Sequence, residues 1–138
     1  MKTLRVLRVA VAAALGLALA PAAFAAQRTF VSTSGSDSNA CSLAAPCRSF
    51  ATALVQTDVN GEIIVLDSGG YGTVTVNKAV KIQSPAGVYA GLSVASGTGI
   101  TVNAPGATVV LRGLTVNGQG GTTGITFSAG SKLHALRT

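Results

Sequence analysis

Asp37, Asp58, Glu62 and Asp67 are the whole supply of carboxylates in this chain. Paired carboxylates do acid–base work on glycosidic bonds. Clustered ones hold Ca²⁺, which takes about six to eight oxygens. Neither arrangement is legible here, because residues 73–138 contain no acidic residue. Asp67 follows an apolar run, Ile63 to Leu66, where it either faces a groove or serves a turn, the commoner use of Asp. Arg112 and Lys132 fall within the acid-free stretch. A base without a metal or an acid partner is not a mechanism. His134, the single histidine, alternates with Leu133 and is expected to point outward near the end of the chain. No catalytic residue, metal site or cofactor is therefore assigned. Whether the chain is an enzyme stays open, with the balance against it.

Cys41 and Cys47 are the only thiols. A metal would need further ligands, and the spacing is not that of a Cys-x-x-Cys redox pair. A disulfide is the default for an exported chain. Closing so short a loop contributes about 2 kcal/mol in the chain-entropy view. Export itself is read from the first residues. Lys2, Arg5 and Arg8 precede an uncharged apolar run, Val9 to Ala20. Pro21 follows, and Ala23-Phe24-Ala25 supplies small residues for a signal peptidase, which places cleavage between Ala25 and Ala26. The run falls short of the roughly 20 residues that span a bilayer, so no stable membrane insertion is expected after cleavage. Residues 1–25 thus read as a signal peptide and the destination as periplasm, cell surface or outside.

Losing Lys2, Arg5 and Arg8 removes half of the formal charge of +6. The remaining cations are scattered, with only Lys78 and Lys81 close in sequence. A nucleic-acid partner needs a clustered basic face, so none is expected. A weak attraction to acidic polysaccharide is compatible with what is left.

The elements that must position these residues are short strands. Val74-Thr75-Val76-Asn77, Ile100-Thr101-Val102-Asn103 and Ile125-Thr126-Phe127-Ser128 repeat one phrase at a step of about 25 residues. Ile82, Val109 and Leu133 form a second set that keeps the same time. Ile63, Leu92 and Leu114 form a third. A fixed period of this length signals a solenoid. Alternation sends Val74 and Val76, Ile100 and Val102, and Ile125 and Phe127 to one side, and Thr75, Thr101 and Thr126 to the other. If like strands lie above one another, the first six residues stack into apolar columns. Asn77, Asn103 and Ser128 then fall in register, either as a ladder of bonded side chains or as plain turn residues. The outward threonines offer rows of hydroxyls to a sugar, although exposed strand positions favour Thr in any case.

Ahead of the coils, Arg28 to Ser34 reads as a strand with Phe30 available to a core. Ser34 to Pro46 reads as a loop. Ser49 to Thr57 reads as a helix capped by Ser49, with Phe50, Ala53 and Leu54 on one face. Asn60-Gly61 and Gly69-Gly70-Tyr71-Gly72 read as turns around the strand Glu62 to Leu66. The expected division is signal peptide 1–25, N-terminal cap 26–62 and coils 63–138.

The ordered series Phe30 to Asn39 (with Gly35-Ser36-Asp37-Ser38-Asn39), Pro46-Cys47-Arg48-Ser49-Phe50, Gly61-Glu62-Ile63-Ile64-Val65-Leu66 and Gly70-Tyr71 resembles the start of right-handed parallel β-helix proteins of the pectin-lyase-like superfamily. The resemblance covers about residues 28–84 and is closest to small exported bacterial members. It implies an all-β fold, a right-handed parallel β-helix of about three coils with an N-terminal capping helix. Members of this superfamily generally continue for several further coils, so the chain looks C-terminally truncated. The resemblance leaves two functions open. One is an exported or surface β-helix module, non-catalytic as it stands and contacting polysaccharide. The other is the N-terminal fragment of a polysaccharide lyase or glycoside hydrolase. The oligomeric state is not readable.

Overall fold

The computed structural model describes residues 26–137. The signal-peptide reading of residues 1–25 lies outside the described residues, and Ala26 opens the first strand. The described chain is all-β with parallel sheets and one short helix. β1 (Ala26–Val31) leads through a loop to α1 (Phe50–Gln56), then to β2 (Thr57–Val65). Nine shorter strands follow: β3 (Gly69–Gly70), β4 (Val74–Val76), β5 (Val80–Gln83), β6 (Ala90–Val94), β7 (Thr98–Asn103), β8 (Thr108–Arg112), β9 (Leu114–Gly118), β10 (Thr123–Ala129) and β11 (Lys132–Leu136).

They form three sheets, ordered β1-β2-β5-β8-β11, β3-β6-β9 and β4-β7-β10. We call these the first, second and third sheets. Every strand pairing is parallel. From β3 onward the chain visits the three sheets in turn, so each strand pairs with the one three elements later. This arrangement is consistent with a β-solenoid. Parallel neighbours about 4.8 Å apart bring like side chains into van der Waals contact along the stack.

The third sheet keeps the register of the repeated phrase. Val74 pairs with Ile100 and Val76 with Val102. Ile125 pairs with Ile100 and Phe127 with Val102. Val74, Val76, Ile100 and Val102 are buried, while Ile125 and Phe127 remain 39% and 46% exposed. The expected columns therefore stand in register, but their last rung is not core: among the described residues, β10 is paired on one side only.

The other sheets shift the expected sets by two residues. Val109 lies between Val80 and Leu133, whereas Ile82 sits between Ile63 and Leu111. Leu114 lies beside Ala90, and Leu92 beside Val116. Ile63 belongs to the first sheet rather than with Leu92 and Leu114. The inward parity survives, because a shift of two preserves the face. The register does not, because the turns between strands differ in length.

Three local expectations also change. Thr29 and Val31 face the core, while Phe30 is half-buried on the opposite face beside Ile64. Asn60 adopts φ +64° but lies within β2, where the register jumps from Ala26–Thr57 to Arg28–Glu62. The turn chemistry of Asn-Gly is thus spent on a bulge inside a strand. β2 accordingly runs through the expected boundary between cap and coils. Gly69 and Gly70 pair with Ala90 and Gly91 as the first strand of the second sheet. Gly69 is required there, because a Cβ would collide with Thr33 Cγ2.

Helix α1 forms where expected. Ser49 is its N-cap and accepts a bond from the Thr52 N–H, and Phe50, Ala53 and Leu54 are buried. It packs against β1, β2 and β4. Cys41 and Cys47 form a disulfide, with Cα atoms 4.6 Å apart.

Candidate functional site

The outer face of the third sheet and the flank of α1 enclose a groove of about 530 Å³. Ala51, Leu54 and Val55 form its apolar wall; Thr73, Thr75, Thr98, Asn77 and Lys78 form the polar one. The geometry follows from the pleat. Val74 and Val76 turn inward, so Thr73, Thr75 and Asn77 turn outward. α1 is shorter than two full turns beyond its cap and leaves Val55 74% exposed along the groove rim. The Lys78 ammonium reaches across to donate to the Thr57 carbonyl at 2.5 Å, which ties β4's end to that of the helix.

The hydroxyl row continues out of the groove. Thr75 pairs with Thr101, and Thr101 with Thr126. The neighbouring row is less regular. Asn77 and Asn103 are exposed, but Asn103 pairs with Ala129, because a register shift falls between Phe127 and Ala129. Ser128 is displaced from the row, which removes the third rung of the expected ladder. Among the described residues, no side-chain hydrogen bond joins Asn77, Asn103 and Ser128.

The four carboxylates are dispersed, and each is occupied. Asp37 accepts from the N–H groups of Arg48 and Ser49, both at 2.9 Å, and from Ser49 Oγ at 2.9 Å. Asp58 accepts from Gln27 at 3.1 Å. Glu62 pairs with Arg28 at 3.0 Å and with Lys81 at 3.4 Å. Asp67 accepts from Ser32 Oγ at 2.6 Å, from the Thr33 N–H at 2.8 Å and from the buried Tyr71 hydroxyl. Among the described residues, no three of His, Cys, Asp and Glu approach closely enough to hold a metal ion.

Electrostatics agree with structural use. Burial alone would raise the Asp67 pKa, but the bonds from Ser32, Tyr71 and Thr33 outweigh it and bring the carboxyl down to about 2. The same burial, joined by the Asp67 carboxylate, pushes the Tyr71 phenol up. Arg48 lies over the Tyr71 ring, 5.8 Å from its centroid, and donates to the Gly70 carbonyl at 2.7 Å. Asp37 is also lowered: burial opposes the shift, and the Ser49 and Arg48 donors prevail. Three donors to one carboxylate favour its ionised form and clamp the segments that supply them.

Arg112 is exposed on β8; Lys132 and His134 are exposed on β11. All lie on the first sheet, away from the groove. Sequence reasoning placed Asp67 near a groove or in a turn and missed the Ser32–Asp67–Tyr71 clamp. The signal, a Ser and an Asp 35 positions apart, is not local. The groove was missed as well, because nothing in α1 announces which coil it lies against.

Compared with family models, with curated proteins and with solved structures, the chain matches none. Among the described residues, no helix is long and apolar enough to cross a membrane.

Proposed function

We propose that this chain is an exported right-handed parallel β-helix module of the pectin-lyase-like kind, non-catalytic as it stands, that contacts polysaccharide through the outer face of its third sheet. The observation that carries the reading is the groove between α1 and β4, with an apolar wall at Ala51 and Val55 facing the hydroxyls of Thr73, Thr75 and Thr98. A sugar ring has one apolar face and a rim of hydroxyls, and this groove presents both complements. The in-register Thr75, Thr101 and Thr126 extend the hydroxyl-bearing surface along the stack. The non-catalytic part of the reading rests on Asp37, Glu62 and Asp67 being committed to clamps and ion pairs.

The test is affinity electrophoresis against neutral and uronate polysaccharides. Retardation by at least one polymer is expected. Thr75→Val with Thr101→Val should weaken it about tenfold, the effect of losing roughly one hydrogen bond of about 1.4 kcal/mol. No retardation by any polymer would remove the binding claim. Turnover of a uronate polymer in the presence of Ca²⁺ would remove the non-catalytic one.

A further inference from the structure

The disulfide sits on an edge. β1 ends the first sheet, and its free side is covered by the loop that Cys41 and Cys47 close. The cover has two arms. On the Cys41 arm, the Phe30 N–H donates to the Cys41 carbonyl at 2.8 Å. On the Cys47 arm, the Cys47 N–H donates to the Phe30 carbonyl at 3.0 Å, and the Ser32 N–H donates to the Cys47 carbonyl at 2.9 Å.

The arms are held very differently. The Cys47 arm is fixed from several sides. Asn39 Nδ2 donates to the Pro46 carbonyl at 2.8 Å, as does the Ser36 N–H at 3.1 Å. Asp37 grips the N–H groups of Arg48 and Ser49. Gly35 lies flush against the Cys47 carbonyl, with no room for a Cβ. The Cys41 arm has no such support. Among the described residues, the only hydrogen bond from positions 40–45 to the rest of the fold is the one from Phe30. Ser42, Leu43 and Ala44 are exposed. Cys41 also holds φ at +56°, a left-handed conformation that costs a non-glycine residue energy. Cys41 itself is packed in the core, 1% exposed. The strained arm is thus held by that packing, by the Phe30 bond and by its covalent bond, while Ser42 to Ala44 have no tether of their own.

We propose that the Cys41–Cys47 disulfide is a one-sided redox latch on the edge of the first sheet. Its reduction releases residues 40–45 and uncovers the Phe30 N–H, while the Cys47 arm stays clamped. The reductant is a dithiol. Cys41 and Cys47 are 1% and 0% exposed, so attack follows a local opening of residues 40–45. One thiolate then attacks a cysteine sulfur, the S–S bond breaks and a mixed disulfide forms. The second thiol resolves that intermediate, leaving an oxidised dithiol and two protein thiols. Two electrons and two protons pass to Cys41 and Cys47. The product exposes an unpaired strand donor, the kind of edge that folded sheets otherwise keep covered.

Amide hydrogen exchange on the full chain tests this, comparing the oxidised form, the form reduced with dithiothreitol, and the Cys41→Ser/Cys47→Ser double variant, which reaches the open state without a reductant. Exchange at Phe30 should accelerate at least about tenfold in the reduced form and in the double variant, as for a locally opened segment. Exchange at Ser32, Ile63 and Ile82 should stay slow. Unchanged protection at Phe30 in the double variant would overturn the latch. Simultaneous loss at Ser32, Ile63 and Ile82 would overturn it too, by showing that the bond holds the whole fold rather than one arm.

Discussion

Asp67 gathers Ser32, Thr33 and Tyr71, residues from β1's end and from the turn into β4. Its carboxyl stands at about 2, below the ordinary value of 3.8. A lowered carboxyl contributes stability above its unfolded pKa and loses it as pH falls through the folded one. Stability should therefore drop between about pH 4 and about pH 2, by about 1 kcal/mol from this group once solvent screening of a carboxylate near the surface is discounted. Asp67→Asn should cost a similar amount at pH 7 and flatten the acid limb of a urea-denaturation series. Some slope will remain, because Asp37 is lowered in the same sense. An acid limb unchanged by the substitution would show that the clamp carries no linkage. Asp67 was visible in the sequence as an isolated turn acid. Its three donors were not, because they arrive from the turn after β1, more than thirty positions earlier, and from a tyrosine buried by the fold itself.

At the scale of the element, the third sheet offers an internal comparison. Ile100 and Ile125 are the same residue type in the same column, yet Ile100 is fully buried and Ile125 is 39% exposed. Ile100→Ala should cost about 3 kcal/mol, the transfer term plus an unfilled cavity. Ile125→Ala should cost about 1 kcal/mol or less, because its site is already partly wet. Equal costs by chemical denaturation would contradict the column as described. β3 supplies a second case. Gly69→Ala should destabilise by about 1–3 kcal/mol through overpacking against Thr33 Cγ2. Thr33→Ser removes that methyl and should restore most of the loss. Failure of the rescue would place the strain elsewhere in the backbone.

Viewed whole, the molecule is asymmetric along its stack. β1 is covered by the disulfide loop, and β4 is flanked by α1. Among the described residues, β9, β10 and β11 each pair on one side only, and Ile125, Phe127 and Leu136 lie exposed there. Apolar side chains exposed beside strand edges favour association between chains. Phe127→Lys should lower concentration-dependent association in sedimentation velocity without lowering the melting temperature by more than about 2–4 °C, since little buried area is lost. Association that is unaffected by the substitution would place the contact away from these edges.

Alternation is a property of a few consecutive residues, and the sequence by itself determined it: Val74, Val76, Ile100 and Val102 inward, the threonines between them outward. The repeat step also determined the register of β4, β7 and β10, because one phrase recurs there nearly unchanged. The helix and its Ser49 cap were local as well. Only the tertiary structure decided which strands of the other two sheets meet, since that depends on turn lengths that no phrase records. It decided that Asn60-Gly61 makes a bulge rather than a turn, because β2 pairs with β1 on both sides of it. It decided that Asp37 accepts from the Arg48 and Ser49 backbone and Asp67 from Ser32, Thr33 and Tyr71, and that Cys41 and Cys47 lie along a sheet edge. The bulge and the Ser32–Asp67 clamp are contacts between positions about thirty or more apart in the chain, and those of Asp37, Cys41 and Cys47 join positions roughly ten or more apart across a loop. Such contacts are fixed by the summed packing of the stack and not by the residues adjoining them.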